Sequence, residues 1–280
     1  MKKKIQFLTP LFLIFAMCQN SNKKAETAQV FPSDTISMQY RPYYPDFRML
    51  IFDGIVNDSL HFKVFFNTYV EGSRFFISDS LKNFFVSDSA FVQIGKFKNQ
   101  LRINYLKSDR RNFFNEDALG KNSIMVGWQF FENKIIEFDF QNQRIFVYEE
   151  LPDITEYSKI NIELSQSFKL IIPVQVVLQG KTLEDSVVID TGYNGYVTLS
   201  SKHIEKQGIY IIRSYIGKSP TCPILAADTI KIGDLRVANQ NMSILYSNRP
   251  LGSLGTETME NFSVILDLKN YDLYLKKIKD

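Results

Sequence analysis

The sequence predicts a mainly β protein built as two related lobes with short helices. Two kinds of observation carry that expectation. First, runs rich in β-branched and aromatic residues alternate with Gly, Asn, Asp and Ser: Phe62-Lys63-Val64-Phe65-Phe66, Phe75-Phe76-Ile77, Ile145-Phe146-Val147-Tyr148, residues 171–178 and Val187-Val188-Ile189. That is the composition and punctuation of strands, and helical stretches are few and short. Second, part of the chain is repeated. Gly127, Glu132, Asn133, Asp139 and Asn142 recur as Gly255, Glu260, Asn261, Asp267 and Asn270 at a constant offset of 128, with matching apolar positions between them. Each copy reads as a Gly, a short helix, a strand, an Asp/Asn turn and a closing strand.

Two shorter matches precede this one in the same order. Gln93-Ile94-Gly95-Lys96-Phe97-Lys98 resembles Lys231-Ile232-Gly233-Asp234-Leu235-Arg236, and Phe75-Phe76-Ile77-Ser78-Asp79-Ser80 falls opposite Val187-Val188-Ile189-Asp190-Thr191-Gly192. A period above 100 residues means two lobes, not a solenoid. The join lies near Glu150-Leu151-Pro152-Asp153, which divides the chain into residues 1–18 (targeting segment), 19–47 (polar tether or edge extension), 48–150 (first lobe) and 151–280 (second lobe).

Composition narrows the function classes. Hydrophobic residues make up 45% of the chain, with 24 Phe and 14 Tyr, so it can bury a core. The net charge of +3 comes from Lys2, Lys3 and Lys4; the rest is balanced and has no basic stripe, which argues against a nucleic-acid partner. The three lysines lead into an apolar run, residues 7–17, then Cys18 and a polar stretch. That is the layout of an export signal, and the run is too short to span a bilayer. Phe15-Ala16-Met17-Cys18 resembles a bacterial lipoprotein cleavage box, which implies lipid attachment at Cys18 and a membrane-tethered protein of the cell envelope; Met17 departs from the small residue expected there. The alternative is a plain cleaved signal with an incidental cysteine.

Beyond Cys18 the only cysteine is Cys222, so there is no disulfide framework. His61 and His203 are too few for a histidine-rich metal site, and neither sits in a catalytic motif; His203 reads as part of one helical turn within residues 200–207. No cofactor is called for.

The chemistry-bearing motif is Val187-Val188-Ile189-Asp190-Thr191-Gly192, with Gly252-Ser253-Leu254-Gly255 and a short helix downstream. It resembles the aspartic peptidases of the retropepsin and pepsin type. As architecture the resemblance covers roughly residues 60–275, while the sharp motif is confined to the second half. It implies two closed β-barrel lobes, Asp190 as the catalytic carboxylate, Thr191 holding its loop to the partner loop through its hydroxyl, and Gly192 permitting the tight turn. In such a site two close carboxylates cannot both ionise; one acts as base on a water while the other protonates the substrate carbonyl. Two other readings of the segment stand beside it. Tyr193-Asn194-Gly195-Tyr196 could close a simple hairpin. A calcium loop would use Asp190, Asn194 and Gly195, with Ser201 where a bidentate Glu belongs. Glu184 and Asp185 read as a solvated turn.

The first lobe departs from the family pattern. Opposite Asp-Thr-Gly it offers Ser78-Asp79-Ser80; a shift of one residue makes Asp79 the second carboxylate, followed by Ser80 and Leu81. On this pairing the first lobe lacks about 26 residues that in the second hold a helix and a flap hairpin within residues 210–225. Three functions follow. The chain is an aspartic endopeptidase acting on peptide or protein substrates with Asp190 and Asp79, or with Asp190 of a second chain in a homodimer. Or it is a peptide-binding or structural envelope lipoprotein without the dyad. Or it is an unrelated exported β-protein.

Overall fold

A computed structural model describes residues 29–42, 48–76, 85, 87–104, 123–209, 215–216, 219–220, 224–245 and 251–278. Cys18, Ser78, Asp79, Ser80 and Cys222, and with them the lipidation site and the weaker carboxylate candidate, lie outside the described residues.

The described chain is mainly β and two-lobed. In the first half the strands are β1 (Asp34–Ser37), β2 (Gln39–Pro42), β3 (Arg48–Val56), β4 (Leu60–Phe66), β5 (Ser73–Phe76), β6 (Ser89–Ile94), β7 (Phe97–Arg102), β8 (Ser123–Val126), β9 (Ile135–Asp139) and β10 (Arg144–Tyr148). The second half contributes β11 (Ser158–Asn161), β12 (Glu163–Leu164), β13 (Leu170–Leu178), β14 (Lys181–Ile189), β15 (Val197–Ser200), β16 (Tyr215–Ile216), β17 (Ser219–Pro220), β18 (Ile224–Ile232), β19 (Leu235–Leu245), β20 (Gly252–Leu254), β21 (Phe262–Asp267) and β22 (Asp272–Lys277).

In the second lobe β13-β14-β20-β15-β19-β18 follow one another, and β18 returns to pair with β13, closing a six-stranded barrel. The first lobe repeats the order as β5-β8-β4-β3-β6-β7 but has no closing ladder among its described strands, so it is a half-barrel rather than the second closed barrel expected. Its open side is bridged by single bonds: the Phe75 N–H donates to the Asn104 carbonyl (3.0 Å) and the Ser73 hydroxyl to the Arg102 carbonyl (2.6 Å). A third sheet, β1-β10-β9-β21-β22-β11, joins the lobes through β9 and β21. One continuous apolar core, from Leu50, Phe66 and Val126 to Val187, Ile189 and Leu254, runs through both lobes.

The repeats seen in the sequence have structural causes. Gly95 (φ +57°) and Gly233 (φ +60°) turn β6 into β7 and β18 into β19. A Cβ at Gly95 would strike Asp34 and Ile36, and one at Gly233 would strike Ser158 and Ile160, because β1 and β11 lie against these turns. β1 is therefore an edge strand of the joining sheet, the edge-extension alternative for that part of residues 19–47. Asp267, fully buried, accepts from the Lys269 and Asn270 N–H groups and from Asn270 Nδ2, fixing the β21–β22 turn. Asp139 does the same for β9–β10 with Asn142, and also accepts from Arg144 Nε at 2.9 Å.

One match needs correction. β14 runs parallel to β20 and β15 antiparallel to it; β4 runs parallel to β8 and β5 antiparallel to it. Phe75-Phe76 in β5 is thus the counterpart of β15 and not of Val187-Val188-Ile189, which correspond to the end of β4. Since β20 lies between β14 and β15, the simple-hairpin reading of Tyr193-Asn194-Gly195-Tyr196 is also excluded. Glu184 and Asp185 lie within β14 rather than in a turn. After the motif the described chain has a helix, Ser201–Lys206, and a short hairpin, β16–β17, within the stretch where a helix and a flap hairpin are expected.

Burial pushes the Asp139 carboxyl up, and hydrogen bonds from Asn142 and Arg144 outweigh it, leaving it below the ordinary carboxylate value. A folded pKa below the unfolded one gives stability that is complete above about pH 4 and lost as pH falls through the folded value. Asp139→Ala is expected to lower Tm by about 2–4 °C at neutral pH, with the gap to the native chain narrowing in melts taken below about pH 4.

Candidate functional site

Asp190 follows the last residue of β14, where the strand leaves the barrel wall. Its counterpart at the end of β4 is Asn67, and the two loops match bond for bond. The Asp190 N–H donates to the Leu254 carbonyl at 3.0 Å and the Asn67 N–H to the Val126 carbonyl at 2.9 Å. The Tyr193 N–H closes a turn on the Asp190 carbonyl, and the Val70 N–H on the Asn67 carbonyl, both at 3.1 Å. Each side chain then takes the N–H two residues on: Asp190 Oδ1 from Gly192 at 3.0 Å, Asn67 Oδ1 from Tyr69 at 2.8 Å.

The loops are tied to each other by their threonines. Thr68 Oγ1 donates to the Ile189 carbonyl (2.7 Å) and accepts from the Thr191 N–H (3.0 Å). Thr191 Oγ1 reciprocates, donating to the Phe66 carbonyl (3.2 Å) and accepting from the Thr68 N–H (3.0 Å). Both threonines are completely buried. Four bonds cross the lobe boundary between fully buried residues, where an unmade bond is costly. They fix Asn67 and Asp190 opposite one another.

Gly192 is not in the left-handed region; it is small because of its neighbour. A Cβ added there would fall 2.1 Å from Asn67 Nδ2. The corresponding residue of the first lobe is Tyr69, whose carbonyl accepts from Lys169 of the second lobe. The ammonium lies 4.0 Å from the centre of the Tyr69 ring, a cation–π contact across the same boundary.

The surroundings differ between the lobes. Phe65 pairs with Met125 where Val188 pairs with Ser253. Met125 joins Met49, Ile51 and Phe65 in an apolar cluster, whereas Ser253 Oγ stands 3.5 Å from Asp190 Oδ2. Behind the Asp190 loop, the Tyr193 hydroxyl meets Ser243 Oγ at 2.8 Å and Thr198 Oγ1 meets Ser243 Oγ at 2.7 Å. That polar cluster lies on the face of β15 and β19 turned away from the barrel core, the face Ser253 shares, and braces the loop there; Val70 stands at the equivalent place in the first lobe. A hollow of about 500 Å³, lined among others by Gln141, Glu260 and Lys277, includes no residue of either loop.

The structure therefore brings Asp190, Thr191 and Gly192 together with Asn67 and Thr68, two residues the sequence reading passed over. Their signal was Val64-Phe65-Phe66-Asn67-Thr68 against Val187-Val188-Ile189-Asp190-Thr191: three apolar residues, then Asx-Thr, at an offset of 123 rather than 128. With this pairing, 27 positions separate Asn67 from Ile94 and 42 separate Asp190 from Ile232, so the shortening of the first lobe is smaller than the Ser78 alignment implied. An Asp–Asn pair cannot share a proton as two carboxylates do, because the amide does not titrate. Its chemistry is hydrogen bonding.

Thr191→Val removes the acceptor of the buried Thr68 N–H and is expected to cost about 1–3 kcal/mol in urea denaturation, while Thr191→Ser keeps most of the stability. Gly192→Ala forces a methyl group against Asn67 and should cost about 1–3 kcal/mol; combining it with Asn67→Ala recovers much of that loss, as a double-mutant cycle reads directly. No family model matches the chain, and no curated protein matches it.

Proposed function

We propose that the chain is an exported, two-lobed relative of the aspartic peptidases that holds an extended peptide between its lobes and, with the residues it carries, does not hydrolyse it. One observation carries this reading: Asn67 occupies the place opposite Asp190, between loops locked by Thr68 and Thr191. Hydrolysis through a carboxylate-activated water needs one carboxylate as base and a second group that can give a proton. Asp190 can be the first. An amide can orient a carbonyl or a water, but it has no proton to give at any working pH. Removing one member of such a unit loses most of the rate.

The same geometry bears on the other sources of a second carboxylate. Asp79 lies outside the described residues; in the sequence it follows β5, the counterpart of β15, and not β4, whose end carries the residue matching Asp190. A homodimer that used Asp190 twice would have to dispense with the Thr68–Thr191 bonds within each chain. Export and a tether through Cys18 complete the proposal: a peptide-binding protein held at the cell envelope.

Asn67→Asp is the test, because it changes one atom type and restores the missing carboxylate. Purified without its first 18 residues, the native chain is expected to leave denatured protein uncut from about pH 3 to 7. The variant should cut it toward the acid end, in a pepstatin-sensitive manner, at a rate at least about a hundredfold above the native background. Cleavage by the native chain that disappears in Asp190→Asn overturns the reading in favour of an active peptidase.

A further inference from the structure

The joining sheet has an approximate twofold at the pair Glu137–Ile265, where β9 faces β21, because the residues of this part of the first lobe recur 128 positions on in the second. The ladder should therefore run equally far on both sides of that pair, and it does not. On one side it continues through Leu266–Ile136 to Asp267–Ile135 and ends in a bond from the Leu268 N–H to the Lys134 carbonyl at 2.9 Å. On the other it stops at Val264–Phe138, one pair short. The images of Leu268 and Lys134 are Phe140 and Phe262, and no backbone bond joins them. Successive residues of β21 turn their N–H and C=O groups alternately to β22 and to β9. Those of Phe262 point to β9 and are left unpaired by it.

A hollow of about 240 Å³ lies in the gap, and it meets the larger one of about 500 Å³ at Gln141, Phe262 and Ile278, which line both. The intact end of the ladder shows what covers such a place. There Ile135, Tyr148, Ile265 and Tyr274 form an apolar seat, on which Leu151, Ile154 and Tyr157 of the segment joining the lobes are packed. The images of the four seat residues are Ser263, Lys276, Glu137 and Phe146, and all but Lys276 line the smaller hollow. The covered seat is apolar because the joining segment stays on it. Its image is polar around an apolar floor of Phe262, Ile278 and Val237, the make-up of a surface that is wet when free and covered when a partner docks.

We infer that this open end of the joining sheet is a docking groove for an extended segment of a partner protein. The segment pairs its main chain with the Phe262 N–H and C=O, adding a strand where the ladder stops. Its apolar side chains, one at every second residue, rest on Phe262, Ile278 and Val237. The groove is separate from Asn67 and Asp190, since neither hollow includes a residue of their loops. It goes beyond the function proposed above and does not rest on it.

Two end-blocked hexapeptides of alternating valine and threonine serve as probes, one plain and one N-methylated at each residue. Added to the nitrogen-15-labelled chain without its first 18 residues, the plain peptide should shift the Phe262 and Ser263 amide signals. It should also slow hydrogen exchange at Phe262 by about tenfold or more. The N-methylated peptide has no donors and should bind at least about tenfold more weakly, the worth of roughly one net hydrogen bond. Ala238→Trp, at an exposed position lining the larger hollow, should weaken the plain peptide by a similar factor. Equal binding of the two peptides overturns the inference, as does an Ala238→Trp chain that binds the plain peptide as the native one does. A native chain whose Phe262 signal neither peptide moves overturns it too. Shifts at Thr68, Thr191 and Gly192 in place of Phe262 would put the peptide between the lobes, which supports the function proposed above and removes the groove.

Discussion

Four hydrogen bonds between Thr68 and Thr191 hold the structure's functional logic together. Each threonine donates through its hydroxyl to the carbonyl preceding the opposite loop and accepts the opposite threonine's N–H. Because both residues are fully buried, water cannot replace any bond that breaks. The bonds therefore do more than add stability. They fix the separation and register of two strand ends, β4 and β14, and so decide which residue faces Asp190. With the loops locked, the residue preceding each threonine is set, and in the first lobe that residue is Asn67.

Around this lock the lobes keep their shared plan and vary their chemistry. The backbone bonds of the two loops agree to within about two tenths of an ångström, yet the residues along them have diverged. Glycine stands in one loop and tyrosine in the other, methionine is exchanged for serine on the neighbouring strand, and carboxylate for amide at the centre. Gly192 shows how such changes are coupled, since it leaves room for the Asn67 amide. Lys169 reaching across to Tyr69 adds a second contact at the same boundary. The centre is thus locked and asymmetric, with an amide on one side and a carboxylate on the other.

Much of this architecture was legible in the chain. The repeated Gly, Asp and Asn positions are those with a structural duty: Asp139 and Asp267 satisfy the N–H groups of tight turns, and Gly95 and Gly233 admit β1 and β11. Such positions tolerate little change and survive divergence. The partner of Asp190 was not legible for two reasons. The lobes drift out of step, from an offset of 128 at Gly127 to 123 at Asn67, because the loops between them differ in length. A motif defined by two carboxylates also points to Asp79, since Asn67 carries none. What survived at Asn67 was the structural half of the motif, the apolar strand end and the threonine. That the first lobe stays a half-barrel was likewise not legible, since its open side is bridged by a few bonds around Ser73 and Asn104 rather than by a strand pattern.

The central claim is that, among the described residues, Asn67 and not a second carboxylate faces Asp190 where the two loops meet. Carbon-13 NMR of the aspartate side chains, followed through acid titration, counts the ionising groups there. The Asp190 carboxyl should follow a one-proton curve that Asp79→Asn leaves unchanged and that splits into two coupled steps in Asn67→Asp. Two coupled steps in the native chain, collapsing to one in Asp79→Asn, would mean that a second carboxylate shares the site and that Asn67 does not hold the place assigned to it.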